Sequence, residues 1–244
     1  HIAKNQKVFA RAINQSKIRQ VRRSDNYQFR YLVPRDYTHA MEIDKLNGNS
    51  KWYDATQLEM NQINDYQVFK DYGKAQLCPK NRKAINGPKN YQQIRVRLIF
   101  AVKHDGRHKA RLVAGGHLTP EPVESIYSGV VSLRSLRITI FLSVLNNLDL
   151  WGADIGNAYL EATTDEKVYI VAGPEFEELQ GHILVIHKAL NGLKSSGLRW
   201  SQKLHDIMID IGFKPSKADP CVWLKPNVEE NHYEYIAIYV DDLL

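Results

Sequence analysis

The sequence has few cysteines, no long apolar run and no secretory leader. Its 244 residues include only Cys78 and Cys221, which lie far apart, so a disulfide framework and a cysteine-based zinc site are excluded. The longest strongly apolar stretch, residues 138–145, is far shorter than the roughly 20 residues that cross a bilayer. The first thirty residues are polar and basic, unlike a signal peptide. We therefore expect an intracellular chain, in a cytoplasmic particle or the nucleus, that is neither secreted nor bound to a membrane.

Common enzyme signatures are also missing. The sequence contains no GxGxxG, GxxxxGK, GxSxG or HExxH pattern, so dinucleotide-binding, P-loop, α/β-hydrolase and zincin functions lack support. His104, His108 and His117 fall across a basic turn with no neighbouring cysteine. We interpret them as surface histidines rather than metal ligands.

Positive charge is concentrated in two segments. The net charge is +6, yet residues 1–30 carry eight lysines and arginines against one aspartate, and residues 81–116 carry nine against one. The remainder is acidic. Such asymmetry suits a chain that neutralises phosphates with one surface and holds cations with another, although a solvated basic face would give the same composition.

Hydrophobic periodicity predicts a mixed fold of the α+β class. A composition with 43% apolar residues supports one real core. Residues 94–103 alternate with period two, and the turn sequence His104–Arg107 leads from them into Lys109, Arg111, Leu112 and Val113, which predicts a β-hairpin with a basic tip. The helix over 131–148 has few polar interruptions and is expected to be buried on most sides. Predicted helices cover 52–69, 131–148 and 198–211, and predicted strands cover 94–102, 109–113, 167–172, 182–186, 221–224 and 233–240.

Three acids follow apolar stretches and are candidates for catalysis. The run Tyr235–Val240 delivers Asp241 and Asp242, and Asp154 ends a second apolar stretch. Adjacent carboxylates repel, so placing them at a sheet end favours a shared cation, although a paired acid after a strand is also a common hairpin turn. If the strands are neighbours, the three acids can hold two Mg²⁺ ions, with Mn²⁺ as the substitute, in the geometry of phosphoryl transfer. Lys103, Lys109 and Arg111 of the basic hairpin would then bind phosphates.

These motifs resemble reverse transcriptases, and most closely those of copia-type retrotransposons. The resemblance covers about residues 37–244, with the motifs in the family order. The matching positions are Trp52, Ala55 and Glu59, the segment 109–113, Asp154 to Tyr159, Gly192 to Lys194 with Trp200, and Tyr239 to Asp242.

The resemblance implies roles for several further residues. Tyr159 would be the aromatic gate that excludes ribonucleotides, and the carbonyl of Ile155 would add a metal ligand. Tyr239 would lie near the primer terminus, and Lys109 or Arg111 would contact the triphosphate. Ser195 stands where the family commonly has a glutamine lining the nucleotide pocket.

The resemblance also implies the domain organisation. Residues 1–36 would be a basic arm, either a partly disordered lead-in or the end of an upstream domain, and residues 37–244 would be the fingers and most of the palm. Because the family continues after the paired acids, the thumb and RNase H domain would be absent. The chain would belong to a polyprotein that also contains integrase, with an RNA or DNA primer–template and dNTPs as its partners.

Three functions agree with these observations. The first is an RNA-directed DNA polymerase, and the second is a catalytically inactive remnant that still binds nucleic acid. A third is an RNA-dependent RNA polymerase, against which Tyr159 argues.

Overall fold

The structure is a computed structural model, and it describes residues 25–119, 128–229 and 232–244. The described chain divides into two compact units. The first unit contains the described residues up to 57 together with 98–111, and the second contains 58–97 and 112–244. Most of the predicted basic arm, residues 1–24, lies outside the described residues.

Three of the five helices in the described residues lie where the apolar periodicity predicts them, although the first of these three ends at Asp65 and Phe69 begins a strand; the helices over 37–47 and 158–161 were not predicted. Asp44 caps the second helix, because its carboxylate accepts hydrogen bonds from the backbone N–H groups of Trp52 (3.0 Å) and Tyr53 (2.8 Å). Gly212 follows the last helix with a φ of 90°, a left-handed conformation that suits glycine. The helices are α1 (Tyr37–Asn47), α2 (Lys51–Asp65), α3 (Leu133–Leu145), α4 (Ala158–Glu161) and α5 (Ser196–Asp210).

The strands are mostly short and antiparallel, which together with the helices confirms an α+β fold. The predicted basic hairpin is present as the fifth and sixth strands. The strands are β1 (Asn26–Gln28), β2 (Tyr31–Val33), β3 (Phe69–Lys74), β4 (Gln92–Gln93), β5 (Val96–Val102), β6 (His108–Ala114), β7 (Ala153–Asp154), β8 (Val168–Val171), β9 (His182–Ile186), β10 (Lys214–Pro215), β11 (Val222–Asn227), β12 (His232–Tyr239) and β13 (Asp242–Leu243).

Two sheets organise the second unit. One has the strand order β10-β11-β12-β13-β7, and the other has the order β3-β9-β8-β4. All neighbouring strands in these two sheets are antiparallel except β4 and β8, which are parallel. The first sheet is the one that receives the predicted acids, because β7 and β13 are neighbours in it.

The core beneath this sheet is built largely by α5. Trp200, Leu204 and Met208 recur at helical spacing and are buried against Trp223 and Ile238 of the strands. Burying side chains of this size contributes roughly 1.5–3 kcal/mol each. The cluster therefore fixes the strand that leads to the paired acids.

In the first unit, the basic hairpin packs on α2 through aromatic rings. Trp52 is buried and meets Phe100 edge-to-face, with the ring centroids 5.5 Å apart. The hairpin shows the alternation expected from its sequence, because Leu98, Phe100 and Val102 are buried. Trp52 of the predicted motif is thus a core residue.

Helix α3 differs from its prediction, because it is not buried on most sides. Its buried residues are the small polar Thr139 and Ser143, while Phe141 is 64% exposed and Val144 is 75% exposed. The hydroxyls of Thr139 and Ser143 bond to carbonyls of their own helix, at 3.0 and 2.8 Å, so they pack without unpaired polar groups. Periodicity correctly located the helix but could not tell which of its faces would be covered.

Among the described helices, none combines the length and the apolar character that a transmembrane span requires.

Candidate active site

Two of the three predicted acids are direct cross-strand partners. In the antiparallel pairing of β7 with β13, Asp154 lies opposite Asp242 and Ala153 lies opposite Leu243. Directly opposed residues in such a pair have Cβ atoms about 4.5–5.5 Å apart. The backbone N–H of Ile155 also donates to the carbonyl of Asp241, at 2.8 Å. The sheet therefore brings the acids of two distant segments to one edge.

Asp241 lies in the tight turn that joins β12 to β13. Tyr239 pairs with Asp242, so Val240 and Asp241 form a two-residue hairpin loop. Val240 has a φ of 61°, a conformation that favours glycine in the first position of such a loop. For a β-branched residue this conformation costs about 1–3 kcal/mol, and strain of this kind clusters at functional sites.

The surroundings of the turn hold it in place. The indole N–H of Trp200 donates to the Val240 carbonyl at 2.7 Å. The Val240 side chain packs against the same cluster that contains Trp200 and Leu204. Helix α5 therefore stabilises the strained loop through both a hydrogen bond and apolar contact.

The acids carry uncompensated charge at this edge. Asp154 and Asp242 are exposed and Asp241 is half-buried. Within residues 25–119, 128–229 and 232–244, none of the three is in an ion pair with a basic side chain. Like charges placed directly opposite each other destabilise a sheet, and carboxylate oxygens are ligands that Mg²⁺ prefers. The donor set thus fits a hard divalent cation.

The third carboxylate does not complete a ligand cluster in this conformation. For the part of the chain that the structure describes, no group of three histidine, cysteine, aspartate or glutamate side chains is close enough to hold a metal ion. Asp154 and Asp242 thus lie opposite each other on neighbouring strands, and Asp241 lies in the adjoining turn.

Tyr159 and Ile155 lie on the segment that follows β7. Both are half-buried and pack against the core cluster beneath the sheet. A Cβ on Gly197 would lie 4.0 Å from the Tyr159 hydroxyl, so the ring reaches the first turn of α5. Glu161, at the end of α4, accepts a hydrogen bond from Lys203 of α5 at 3.1 Å. That bond holds the pKa of Glu161 below its ordinary value and ties the short helix to the core.

Ser195 and Tyr239 have contrasting surroundings. Ser195 is buried, and its hydroxyl and backbone N–H donate to one oxygen of Glu166, at 2.7 and 2.9 Å. Its hydroxyl is thus engaged within the protein. Tyr239 is exposed at the end of β12.

The predicted phosphate ligands belong to the first unit. Lys103, Lys109 and Arg111 are all exposed on the basic hairpin, and Lys109 and Arg111 alternate with buried Ala110 and Leu112. In the second unit, Glu59 of α2 accepts a hydrogen bond from the Leu112 backbone N–H at 2.7 Å. Glu59 of the predicted motif is thus a structural anchor for β6.

Sequence reasoning missed how two motif segments meet. The Ala114 backbone N–H donates to the Asn191 carbonyl at 2.7 Å, and Lys194 donates to the Thr119 carbonyl at 2.7 Å. Between these contacts, Gly116 lies so close to the Gly192 carbonyl that a Cβ has no room. The glycines in both segments could have indicated this close approach.

Comparisons with known proteins agree with the motifs. Residues 80–244 match the family model described as reverse transcriptase (RNA-dependent DNA polymerase). The chain is 30% identical over 172 residues to the retrovirus-related Pol polyprotein from transposon TNT 1-94 of Nicotiana tabacum. The matched region covers 66% of the chain and 13% of that protein. The chain is also 29% identical over 215 residues to the transposon Ty1-DR5 Gag-Pol polyprotein of Saccharomyces cerevisiae. This matched region covers 85% of the chain and 11% of that protein. The chain thus spans only a small part of the length of these relatives.

Proposed function

This chain belongs to the reverse transcriptase family, on the copia-type branch, and from that premise we propose that it is the fingers-and-palm part of an RNA-directed DNA polymerase. The reaction is transfer of a nucleotide from a dNTP to the 3′-hydroxyl of a primer. The observation that carries the proposal is the register of Asp154 opposite Asp242.

We assign the metal-binding role to Asp154, Asp241 and Asp242, with the Ile155 carbonyl as a further ligand. Two divalent cations, Mg²⁺ or Mn²⁺, would lower the pKa of the attacking hydroxyl and neutralise the leaving pyrophosphate. The exposure of the paired acids and their lack of a described basic partner support this assignment. Asp241 would join the pair when a cation offsets the repulsion among the three carboxylates.

Other residues would position the substrates. Tyr159 would lie under the sugar and exclude a 2′-hydroxyl, and Tyr239 would contact the primer terminus. Lys103, Lys109 and Arg111 would bind phosphates, because lysine and arginine make charge-assisted hydrogen bonds to them. Ser195 would line the nucleotide pocket at the start of α5. Because its hydroxyl donates a hydrogen bond to Glu166, Ser195 would shape the pocket through its position.

The wider setting is part of the same proposal. The relatives are named as Pol and Gag-Pol polyproteins, and the chain matches 11–13% of their length. We place this chain in a larger polyprotein with RNase H and integrase, acting on an RNA or DNA primer–template in an intracellular particle or the nucleus.

Primer extension tests the polymerase activity. The chain is incubated with an RNA template, a DNA primer, dNTPs and Mg²⁺, and Asp242→Asn is compared with the unsubstituted protein. Removing one electrostatic stabiliser of a transition state commonly lowers turnover by roughly 100-fold or more, so we expect Asp242→Asn to lose nearly all extension. The matched control is Asp206→Asn, at an aspartate of α5 whose side chain is 81% exposed, and it should extend normally.

A second function is favoured by one observation. The three acids are not gathered as a ligand cluster among the described residues, which agrees with a catalytically inactive remnant that binds nucleic acid. Primer–template binding without extension by the unsubstituted chain would establish that alternative and contradict the polymerase assignment.

A further inference from the structure

One face of α5 carries a row of polar side chains beside its apolar stripe. Ser195, Arg199 and Lys203 are spaced four residues apart, so they lie above one another along the helix. Trp200 and Leu204 follow Arg199 and Lys203 by one residue, and both are buried in the core. The helix thus presents an apolar surface to the core and, about 100° around its axis, a polar surface to another segment.

Two contacts of this polar row are ion pairs with the chain at and just after the end of α4. The Lys203 ammonium donates to the Glu161 carboxylate at 3.1 Å and to the Glu161 carbonyl at 2.7 Å. One helical turn nearer the start of α5, the Arg199 guanidinium donates to both carboxylate oxygens of Asp165. Ion pairs as exposed as these add little to stability, but a two-pronged guanidinium–carboxylate contact fixes both distance and orientation.

The third contact of the row is enclosed. Ser195 is 4% exposed, and its hydroxyl and backbone N–H donate to one oxygen of Glu166, at 2.7 and 2.9 Å. The partners of Lys203, Arg199 and Ser195 are therefore residues 161, 165 and 166 in turn. The segment 161–166 thus runs antiparallel to α5 and is fastened over about 12 Å of the helix.

The fastened segment is continuous with Tyr159, the proposed sugar gate. Tyr159 precedes Glu161 by two residues on the four-residue helix α4. Its half-buried ring reaches the first turn of α5, where a Cβ on Gly197 would lie 4.0 Å from the hydroxyl. A helix of one turn is not stable by itself, so its position depends on its neighbours. The polar row supplies contacts on one side, and the backbone bond from Ala189 to the Ala162 carbonyl (2.9 Å) supplies another.

Helix α5 also holds the turn that is proposed to bind metal. The indole N–H of Trp200 donates to the Val240 carbonyl at 2.7 Å, in the turn that contains Asp241. The gate and this turn are therefore both mounted on one helix. A change in how the segment 161–166 lies on α5 would alter the distance between the Tyr159 ring and the acids.

We propose that Asp165, Glu166 and Arg199 are positioning residues that fix Tyr159 relative to the acids and thereby set the discrimination against ribonucleotides. The inference rests on the polymerase function proposed above, and it extends that function to residues that act through Tyr159 rather than by contact with the nucleotide. A gate that admits a hydrogen and excludes a hydroxyl tolerates little displacement, because a shift of roughly 1 Å at a reacting site changes rates by as much as 100-fold.

Charge exchange at one contact tests the proposal on the full chain. Asp165→Lys and Arg199→Glu each place like charges side by side, whereas the double variant restores an opposite pair. The measurement is single-nucleotide extension of a primed RNA template opposite adenine, with dTTP and UTP in competition. We expect each single variant to raise the ratio of UTP to dTTP incorporation by roughly 10-fold, and the double variant to recover most of the discrimination. Because both nucleotides compete for the same enzyme molecules, partial unfolding of a variant lowers both rates and leaves the ratio unchanged.

Two further comparisons separate positioning from simple stabilisation. Glu166→Gln keeps an oxygen that accepts from Ser195 and should retain the ratio, whereas Glu166→Ala removes the acceptor and should raise the use of UTP. In a Tyr159→Ala background, Asp165→Lys should have no further effect on the ratio, because the ring that it would displace is gone. A further rise in that background would show that Asp165 does not act through Tyr159.

Asp71 offers a matched control for the charge reversal. Its carboxylate lies 3.0 Å from the His182 imidazole, and its side chain is 41% exposed, against 61% for Asp165. Asp71→Lys should leave the ratio unchanged. An equal rise in this control would mean that any charge reversal perturbs the site, and it would overturn the proposal. An unchanged ratio in Asp165→Lys, with extension retained, would overturn it as well.

Hydrogen exchange gives a readout that needs no catalysis. Amide exchange of residues 158–166, followed by mass spectrometry, should quicken in Arg199→Glu and slow again in the double variant, while residues 182–186 of β9 stay protected. Equal protection of residues 158–166 in all variants would mean that the polar row does not hold the segment, and it would refute the inference. Absence of extension by the unsubstituted chain would instead contradict the polymerase function, and with it the role in discrimination, whatever the exchange result.

Discussion

The indole N–H of Trp200 donates a hydrogen bond to the carbonyl of Val240, the strained residue two positions before Asp242. One residue of α5 therefore controls the loop that carries an acid. Because the strain at Val240 must be offset by its surroundings, loss of this bond should affect both stability and the position of Asp241.

Replacing Trp200 by phenylalanine tests this relationship. We expect Trp200→Phe to lower the free energy of unfolding by about 1–3 kcal/mol, because the Val240 carbonyl loses its partner, and to reduce primer extension as well. Trp223→Phe in the same cluster is the control, since that ring does not bond to the turn. Equal effects of the two variants on extension would mean that the hydrogen bond has no role beyond packing.

Cation binding should appear as a gain in stability. At ten times the dissociation constant, Mg²⁺ would stabilise the chain by about 1.4 kcal/mol, measured by chemical unfolding with Mg²⁺ and with a chelator. Asp154→Asn removes one of two opposed like charges, so it should raise stability without Mg²⁺ by up to about 1 kcal/mol and abolish the response to the ion. A response that survives this substitution would exclude Asp154 as a ligand.

The Glu161–Lys203 contact should make stability depend on pH. The hydrogen bond from Lys203 holds the pKa of Glu161 below 4.5, its ordinary value. The pair therefore stabilises the fold above pH 4.5, and this stabilisation is lost as the pH falls through the lower folded pKa. Because both side chains are about 40% exposed, we expect Lys203→Met to cost no more than about 1 kcal/mol at pH 7.

Denaturant unfolding between pH 3 and 7 measures this effect. The difference between Lys203→Met and the unsubstituted chain should shrink below pH 4.5, although the bond from Lys203 to the Glu161 carbonyl (2.7 Å) is independent of pH. Lys214→Met, at an exposed lysine of β10, should show no such dependence. A constant difference across the range would contradict the ion pair.

Tyr159→Ala tests the proposed sugar gate. Removing the ring opens space beside the position assigned to the 2′-carbon, so ribonucleotide incorporation should rise relative to deoxynucleotide incorporation by roughly tenfold or more. Competitive single-nucleotide extension measures the ratio. An unchanged ratio, with activity retained, would assign Tyr159 to the core alone.

The exposed apolar face of α3 should make the chain bind hydrophobic dyes. Phe141→Gln with Leu145→Gln should lower fluorescence of a bound naphthalene sulfonate dye and change stability by less than about 0.5 kcal/mol per site, because both residues are exposed. Leu136→Gln is the contrasting variant, since Leu136 packs on a core cluster and its replacement should destabilise the fold. Unaltered dye binding in the double variant would locate the apolar surface elsewhere.

The regular elements could be predicted because their patterns are long. The apolar pattern of the basic hairpin extends over several residue pairs, and that of α5 extends over several helical turns. The strands β5 and β6 and the helix α5 therefore lie where the sequence predicted them. By contrast, β7 has two residues and α4 has four, which is too short for a period to show. These short elements exist because their neighbours hold them, as β13 holds β7.

The candidate site was predictable only in part, for a similar reason. The sequence predicted that Asp154, Asp241 and Asp242 would meet if their strands were neighbours, and the pairing of β7 with β13 places Asp154 opposite Asp242. The bond from Ser195 to Glu166 and the strained φ of Val240 depend on tertiary contacts, which a local sequence pattern does not contain. The exposed face of α3 shows the same limit, since periodicity reports that a face is apolar and not what lies against it.

The two-residue loop between β12 and β13 also makes the spacing of this segment as important as its chemistry. Successive side chains of a strand point to opposite faces, so adding a single residue after Val240 would rotate Asp242 away from Asp154 while leaving every acid in the sequence. A variant that gains or loses one residue in this loop would keep Asp154, Asp241 and Asp242 in its sequence and lose the pairing of Asp154 with Asp242.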